Sequence, residues 1–318
     1  MMANICVLDG YTLNPGDLDW SVLAPFGDYE VYDRTAAGEL LTRAAASSVL
    51  FTNKTPLDAA TLAALPELRY IGVLATGTNV VDLEAARRLG IAVTNVPGYG
   101  PDAVAQMAFA HVLHHTSRVA AHHQAVISGA WSAQPDFCFT LDTLESLSGK
   151  TLGLVGFGDI AKQMARIGQA FGMQLLVHSR SRPKDLPADA EFVSLDTLFA
   201  RSDVLSLHCP LTAQTRHMVN ETSLGLMKPG ALIVNTARGG LVDEPALASA
   251  LHQGRVRAAV DVLSSEPPAA DNPLLHAPNI SITPHNAWAT QKARQRLLDI
   301  AIANLAAFVA GEKQNRVD

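Results

Sequence analysis

Short apolar runs recur along this chain, and stretches with helical spacing separate them. In the first hundred residues the runs are Ile5–Leu8, Val49–Phe51, Tyr70–Leu74 and Ile91–Val93, with Ala- and Leu-rich segments such as Asp58–Ala64 and Asp82–Leu89 between them. An unbroken apolar run suits a strand covered on both faces, and strands alternating with helices predict a parallel sheet. The pattern changes at Pro97-Gly98-Tyr99-Gly100-Pro101. From about Asp102 to about Ser128 one long helix is expected, with proline near its first turn.

A second series opens at Lys150-Thr151-Leu152-Gly153-Leu154-Val155 and continues with strands at Leu175–His178, Val204–His208, Leu232–Asn235, Ala258–Val262 and Ile280–Thr283. A final amphipathic helix runs from about Thr290 to Val309. No strand follows it, so it is expected to return to the first domain after a second crossing near His285. The expected fold class is α/β, with two doubly wound parallel sheets. Residues 1–99 and 287–318 form a discontinuous first domain, and residues 100–286 form the second.

Composition narrows the function classes. A length of 318 residues suits two cores, and 48% apolar with 17% charged residues describes an ordinary folded chain. The net charge of -6 argues against a nucleic-acid partner. No stretch approaches the roughly 20 apolar residues of a membrane span. Met1-Met2-Ala3-Asn4-Ile5 has no positive region ahead of an apolar run, which argues against a secretory leader. Cys6, Cys138 and Cys209 form no close pair, which fits reduced thiols and a cytoplasmic location better than a disulfide framework or a metal site.

The strand Lys150–Val155 leads straight into Gly156-Phe157-Gly158-Asp159-Ile160-Ala161, and a helix and a second strand follow. That context turns a weak glycine pattern into a dinucleotide seat. Gly156 permits the tight turn, Gly158 lets a pyrophosphate approach the helix N-terminus, and Ala161 allows close packing. At the end of the second strand, an acid would bind the adenosine ribose. This chain has His178-Ser179-Arg180-Ser181-Arg182 there and no acid before Asp185. The missing acid and the arginines favour NADP(H). The alternative is that both arginines are solvated and NAD(H) is held through its ribose hydroxyls alone.

Four further residues fall at or just beyond the carboxyl ends of later strands: Arg238, Asp261, Glu266 and His285. Ligands of open parallel sheets bind at that edge. Reduction of a 2-oxo acid places a hydride on C2 and a proton on the carbonyl oxygen. His285 can supply the proton, a neighbouring Glu266 can orient the ring and stabilise its charged form, and Arg238 can grip the carboxylate and polarise the carbonyl. The rival readings are a capping or buried structural histidine and an exposed loop carboxylate before Pro267-Pro268.

The glycine loop, His208-Cys209-Pro210-Leu211-Thr212, Asn235-Thr236-Ala237-Arg238-Gly239, Asp261-Val262-Leu263 with Glu266-Pro267, and Thr283-Pro284-His285 resemble the D-isomer-specific 2-hydroxyacid dehydrogenase family. The resemblance covers nearly the whole chain. It implies a flavodoxin-like substrate domain and a Rossmann domain with a cleft between them, usually in a homodimer. It implies Arg238, Glu266 and His285 as the catalytic set and Asp261 near the nicotinamide carboxamide. The implied cofactor contacts are Gly156, Phe157, Gly158, Asp159, Ile160, Ser179, Arg180, Cys209, Pro210, Thr215, Thr236 and Ala237. Backbone N–H groups of Ala75-Thr76-Gly77-Thr78 would hold the substrate carboxylate.

Leu8-Asp9-Gly10-Tyr11-Thr12-Leu13-Asn14-Pro15, Thr52-Asn53-Lys54-Thr55-Pro56 and His285-Asn286-Ala287-Trp288 resemble the glycerate dehydrogenase and hydroxypyruvate (glyoxylate) reductase branch. The chain ends soon after its last helix, so an added regulatory domain is not expected. Gln106 stands where many members carry glutamate, which affects only a local contact. A small 2-oxo or 2-hydroxy acid is therefore the expected partner. Two alternatives are a dehydrogenase of larger D-2-hydroxy acids and a nicotinamide-sensing binding protein resembling the family's corepressors.

Other residues invite a functional reading that the pattern does not support. His111 and His115 share a helix face, but no carboxylate or cysteine at helical spacing completes a metal site, so they read as polar or interface positions on a dimer helix. Trp288 suits either a substrate-pocket wall or core packing. Cys209 reads as packed, not reactive.

Overall fold

The computed structural model describes residues 3–318; Met1 and Met2, the start of the stretch read above for a leader, lie outside the described residues. The chain groups into two compact units, residues up to Gly100 with Trp288–Asp318, and Pro101–Ala287.

The first unit carries β1 (Ala3–Val7), β2 (Gly27–Val31), β3 (Val49–Thr52), β4 (Tyr70–Val73) and β5 (Ala92–Thr94). Their order is β2-β1-β3-β4-β5, with every pairing parallel. This is the flavodoxin-like doubly wound order. One face, including Cys6, Leu50, Ile71 and Val93, packs with residues of α1 (Leu40–Ala44), α2 (Ala59–Ala63) and α3 (Leu83–Arg88). The other, including Val7, Phe51 and Tyr70, packs on Leu297, Leu298, Ala301 and Leu305 of the C-terminal helix Gln291–Val309. Asp58, Asp82 and Thr290 start their helices by accepting hydrogen bonds from Thr61, Ala85 and Ala293 N–H. The apolar pattern did not reveal β2, an edge strand whose Asp28, Tyr29 and Glu30 are exposed.

The second unit contains β6 (Thr151–Val155), β7 (Gln174–His178), β8 (Ala190–Phe192), β9 (Val204–Leu207), β10 (Ala231–Asn235), β11 (Val256–Val260) and β12 (Ile280–Ile282). The all-parallel order β12-β11-β10-β9-β6-β7-β8 is the Rossmann order with one strand added at the β12 edge. The winding reverses at β6, and the glycine loop leaves the carboxyl end of that strand. The short β8, an edge strand bonded only to β7, also lacked a sequence signal.

The long helix expected from Asp102 to Ser128 is two helices, α4 (Pro101–Ser117) and α5 (Val119–Ile127). Arg118 between them is left-handed at φ +51° and forms an ion pair with Asp142. Glu145 N–H donates to Thr116 O at 3.1 Å, occupying a carbonyl that a continuous helix would use. No proline or glycine marks this break, because its cause lies in a segment that returns from further along the chain. The unit is completed by α6 (Asp159–Ala170), α7 (Leu195–Arg201), α8 (Glu221–Leu226) and α9 (Glu244–His252).

Candidate active site

Gly156 follows β6 at φ +86°, and a Cβ there would stand 2.8 Å from His208 O. Only glycine fits. Its N–H donates to His178 O at 2.7 Å, tying the loop to the end of β7. Gly158 precedes α6, and apart from its chain neighbours no atom of the described residues lies within 4 Å of the position its Cβ would take. The N-terminus of α6 is therefore approachable, with Asp159 exposed beside it, Phe157 and Ile160 half-buried and Ala161 fully buried.

Beyond β7, His178 Nδ1–H donates to Val193 O at 3.0 Å, and Ser179 Oγ–H donates to Ser181 O at 2.6 Å. Arg180 is exposed and has no ionic partner among the described residues. The next acid, Asp185, is paired with Lys162 at 2.6 Å. Beyond β9, Thr215 Oγ1–H donates to Pro210 O at 2.7 Å and fixes the turn. Cys209 Sγ lies 3.6 Å from Met218 Sδ, and burial pushes its thiol pKa up. It is a packed thiol, held protonated.

The loop after β10 is built by one side chain. Asn235 accepts from Ala237 N–H at 3.1 Å and donates to Arg238 O at 2.9 Å. Thr236 Oγ1 is buried with no hydrogen-bond partner among the described residues. Arg238 is exposed, turns one N–H to Ala237 O at 2.6 Å, and has no carboxylate partner among the described residues. At Gly239 a Cβ would come within 2.0 Å of Leu263 C, so glycine alone lets this loop lie against the one after β11.

That neighbouring loop carries Glu266, whose Oε1 accepts from Leu263 N–H at 3.1 Å. Its Oε2 accepts from His285 Nδ1–H at 2.5 Å, with both side chains about one-third exposed. His285 is itself left-handed at φ +50°. Asp261 holds it there: the carbonyl accepts from His285 N–H at 2.8 Å, Oδ1 from Asn286 N–H at 3.0 Å, and Oδ2 from Ala287 N–H at 3.0 Å. Asp261 is 2% exposed, a buried carboxylate that meets its acceptor capacity with donors.

A dinucleotide suits this edge on structural grounds. The N-terminus of α6 is open at Gly158, and among the described residues Thr236 Oγ1 lacks a partner and Arg180 has no ionic partner. Residues 109–287 match the family described as "D-isomer specific 2-hydroxyacid dehydrogenase, NAD binding domain". The chain is 44% identical to a hydroxypyruvate reductase of Blautia hydrogenotrophica, over 99% of each chain. The chain belongs to the D-isomer-specific 2-hydroxyacid dehydrogenase family. It is also 39% identical to a glyoxylate reductase of Aeropyrum pernix, covering 92% of this chain and 89% of that one. A structure of Aquifex aeolicus D-lactate dehydrogenase complexed with NAD and lactic acid superposes with a TM-score of 0.84, at 28% identity over 99% of this chain and 98% of that one.

In this D-2-hydroxyacid dehydrogenase the remaining expected residues lie in the first unit. The loop Ala75-Thr76-Gly77-Thr78 follows β4 and is anchored by Val96 N–H to Ala75 O at 3.0 Å, Thr76 Oγ1–H to Val96 O at 2.8 Å and Asn95 Nδ2–H to Thr76 O at 2.8 Å. The N–H groups of Thr76, Gly77 and Thr78 have no acceptor among the described residues. Trp288 packs edge-on against Tyr99 with ring centroids 6.1 Å apart, so core packing describes at least part of its role.

His111 and His115, read from the sequence as polar or interface positions, both bond to β12 within the second unit. His111 is 5% exposed, and both rings turn inward to Ser281 on β12 at 2.8 and 3.1 Å. His111 also bonds Thr283, whose hydroxyl donates to Asp261 at 2.6 Å. Sequence reasoning also missed Asn235 and Thr283 as loop builders; their short polar side chains at the carboxyl ends of apolar strands were the available signal.

Proposed function

We propose that the chain reduces hydroxypyruvate or glyoxylate to D-glycerate or glycolate, with NADPH preferred to NADH. The observation that carries this is the Glu266–His285 pair, set at the strand edge whose neighbouring loop presents Arg238 without an ionic partner among the described residues. Glu266 accepts the Nδ1–H hydrogen bond and so leaves Nε2, the opposite ring nitrogen, to give the proton. Arg238 offers parallel donors to a carboxylate and positive charge to the carbonyl oxygen as charge develops there. The Ala75–Thr78 loop supplies backbone N–H groups for the substrate carboxylate.

The nicotinamide cofactor supplies the hydride when bound. Gly156–Ile160 would seat its pyrophosphate, with Cys209, Pro210 and Thr215 lining the approach. Thr236, Ala237 and Asp261 would meet the nicotinamide end, and Ser179 with Arg180 a 2′-phosphate. The similarity to a hydroxypyruvate reductase and a glyoxylate reductase supports the substrate class. A homodimer is part of this reading. Its support is the exposed apolar set Val119, Ile127, Trp131, Phe137, Leu141 and Leu144, concentrated in one part of the second unit.

The test is a panel of 2-oxo acids against NADPH and NADH, read as kcat/KM. Hydroxypyruvate or glyoxylate with NADPH should lead. A clear preference for a larger 2-oxo acid, or for NADH, overturns the corresponding half of the proposal.

A further inference from the structure

Five polar side chains in the second unit form one continuous line. His115 Nε2 lies 3.1 Å from Ser281 Oγ, which lies 2.8 Å from His111 Nδ1. His111 Nε2 lies 3.1 Å from Thr283 Oγ1, which lies 2.6 Å from Asp261 Oδ1. The direction of every bond follows from donor capacity. Asp261 is an acceptor, so the single Thr283 proton points to it, and His111 Nε2 must then be the donor to Thr283. A neutral His111 therefore accepts at Nδ1 from Ser281 Oγ–H, which leaves Ser281 to accept from His115 Nε2–H. The line is a one-way chain of donors ending on Asp261.

Both imidazoles sit where the neutral form is favoured. Burial pushes His111 below the ordinary histidine range, opposed by the charge of Asp261 and assisted by His114. Burial, with His114, Arg257 and His111 adding to it and the Ala258 backbone opposing, holds His115 down to about 4. Glu145 bonds Arg257 at 2.6 Å, and His115 lines a cavity of about 470 Å³ with these charged groups.

We propose that His111 is a positioning residue for the reaction: its Nε2–H tautomer sets the direction of the chain and holds Asp261 as an oriented acceptor. Asp261 in turn fixes Asn286 and Ala287 and receives His285 N–H, so α4 helps decide where the proton donor stands. This rests on the reading above that Asp261 faces the nicotinamide end of the site.

The first test needs no turnover. In the apoprotein labelled with 15N-histidine, His111 and His115 should both show the neutral Nε2–H tautomer at pH 7.5, with assignments from the H111Q and H115Q spectra. A charged His111, or an Nδ1–H tautomer, overturns the chain. The second test separates the two ring nitrogens. His111→Gln keeps a donor near Nε2, His111→Asn keeps an acceptor near Nδ1, and His111→Leu keeps neither.

His111→Gln should stay within about threefold of wild-type kcat, while His111→Asn and His111→Leu lose about tenfold or more at little change in substrate KM. Equal effects of Gln and Asn, or losses that merely follow Tm, would show a structural role only. Asp261→Asn distinguishes the two layers of argument. If it leaves kcat and NADPH affinity unchanged, the placement of Asp261 at the cofactor is wrong, and the proposed consequence of the chain goes with it. If Asp261→Asn is impaired but the three His111 variants match wild type, the His111 proposal alone fails.

Discussion

His285 Nδ1 stands 2.5 Å from Glu266 Oε2, while the other oxygen of the same carboxylate is held by Leu263 N–H at 3.1 Å. The carboxylate is thus fixed before it orients the ring. Glu266→Gln retains an acceptor but removes the charge that stabilises the imidazolium. It should lower kcat about 10- to 100-fold, and His285→Ala should lower it by about 10³ or more, both with NADPH binding retained. Steady-state kinetics with NADPH fluorescence titration measures both. Full activity in His285→Ala would remove the proton-transfer role.

Arg238 has no carboxylate partner among the described residues, and it donates to Ala237 O of its own loop. Arg238→Lys preserves charge but loses the planar pair of donors that match a carboxylate. KM for the 2-oxo acid should rise about tenfold or more, with a further fall in kcat from weaker carbonyl polarisation. An unchanged KM would place substrate recognition elsewhere.

Arg180 is the exposed cation after β7, where no acid precedes Asp185. Arg180→Ala should reduce the NADPH-to-NADH ratio of kcat/KM by about tenfold, the value of one charge-assisted contact of about 1.5 kcal/mol. The loss should appear with NADPH only. Equal losses with both cofactors would mean that Arg180 serves the shared pyrophosphate or the fold.

Much of this organisation was legible because its causes are local. The apolar runs of β6, β9 and β10 are buried throughout, and Asp58, Asp82 and Thr290 announce their helices by side-chain chemistry that acts within three residues. The catalytic candidates could be placed because strand ends and loop lengths follow from the same pattern. What escaped depended on partners distant in sequence. β2 is a strand because it pairs with β1, the α4–α5 break follows from residues 142–145, and His111 faces inward because Ser281 and Thr283 lie 170 and 172 residues away. Helical spacing could align His111 with His115 but could not show which way that face points.

Gly239 joins the Arg238 and Glu266 loops by leaving out a side chain. Gly239→Ala would put a Cβ 2.0 Å from Leu263 C, against backbone that cannot rotate away. The variant should be destabilised by about 2–4 kcal/mol and should lose most activity even where it remains folded. Differential scanning calorimetry with kinetics on the folded fraction checks this. An alanine variant with wild-type Tm and kcat would show that the two loops are not held in contact.

Three histidines, His111 buried and His115 and His208 half-buried, favour the neutral form, which gives stability a defined pH dependence. His111 is shifted below the ordinary histidine range, His115 is held down to about 4, and His208, beside the glycine loop, to about 3, in each case chiefly by loss of solvent. Their folded values lie below the unfolded one, so on acidification the unfolded chain binds protons first. Stability from these groups is complete above about pH 6.5 and is lost as pH falls towards 4 and 3. Each contributes a slope of about 1.4 kcal/mol per pH unit where only the unfolded form is charged. Between pH 6 and 5, above the range where most carboxylates titrate, unfolding should take up about two to three protons from this set. Denaturation of the whole chain across that interval gives the slope, and His115→Gln should lower it by about one proton. A slope that H115Q leaves unchanged would mean that His115 is already charged in the folded protein, or that solvent reaches it freely.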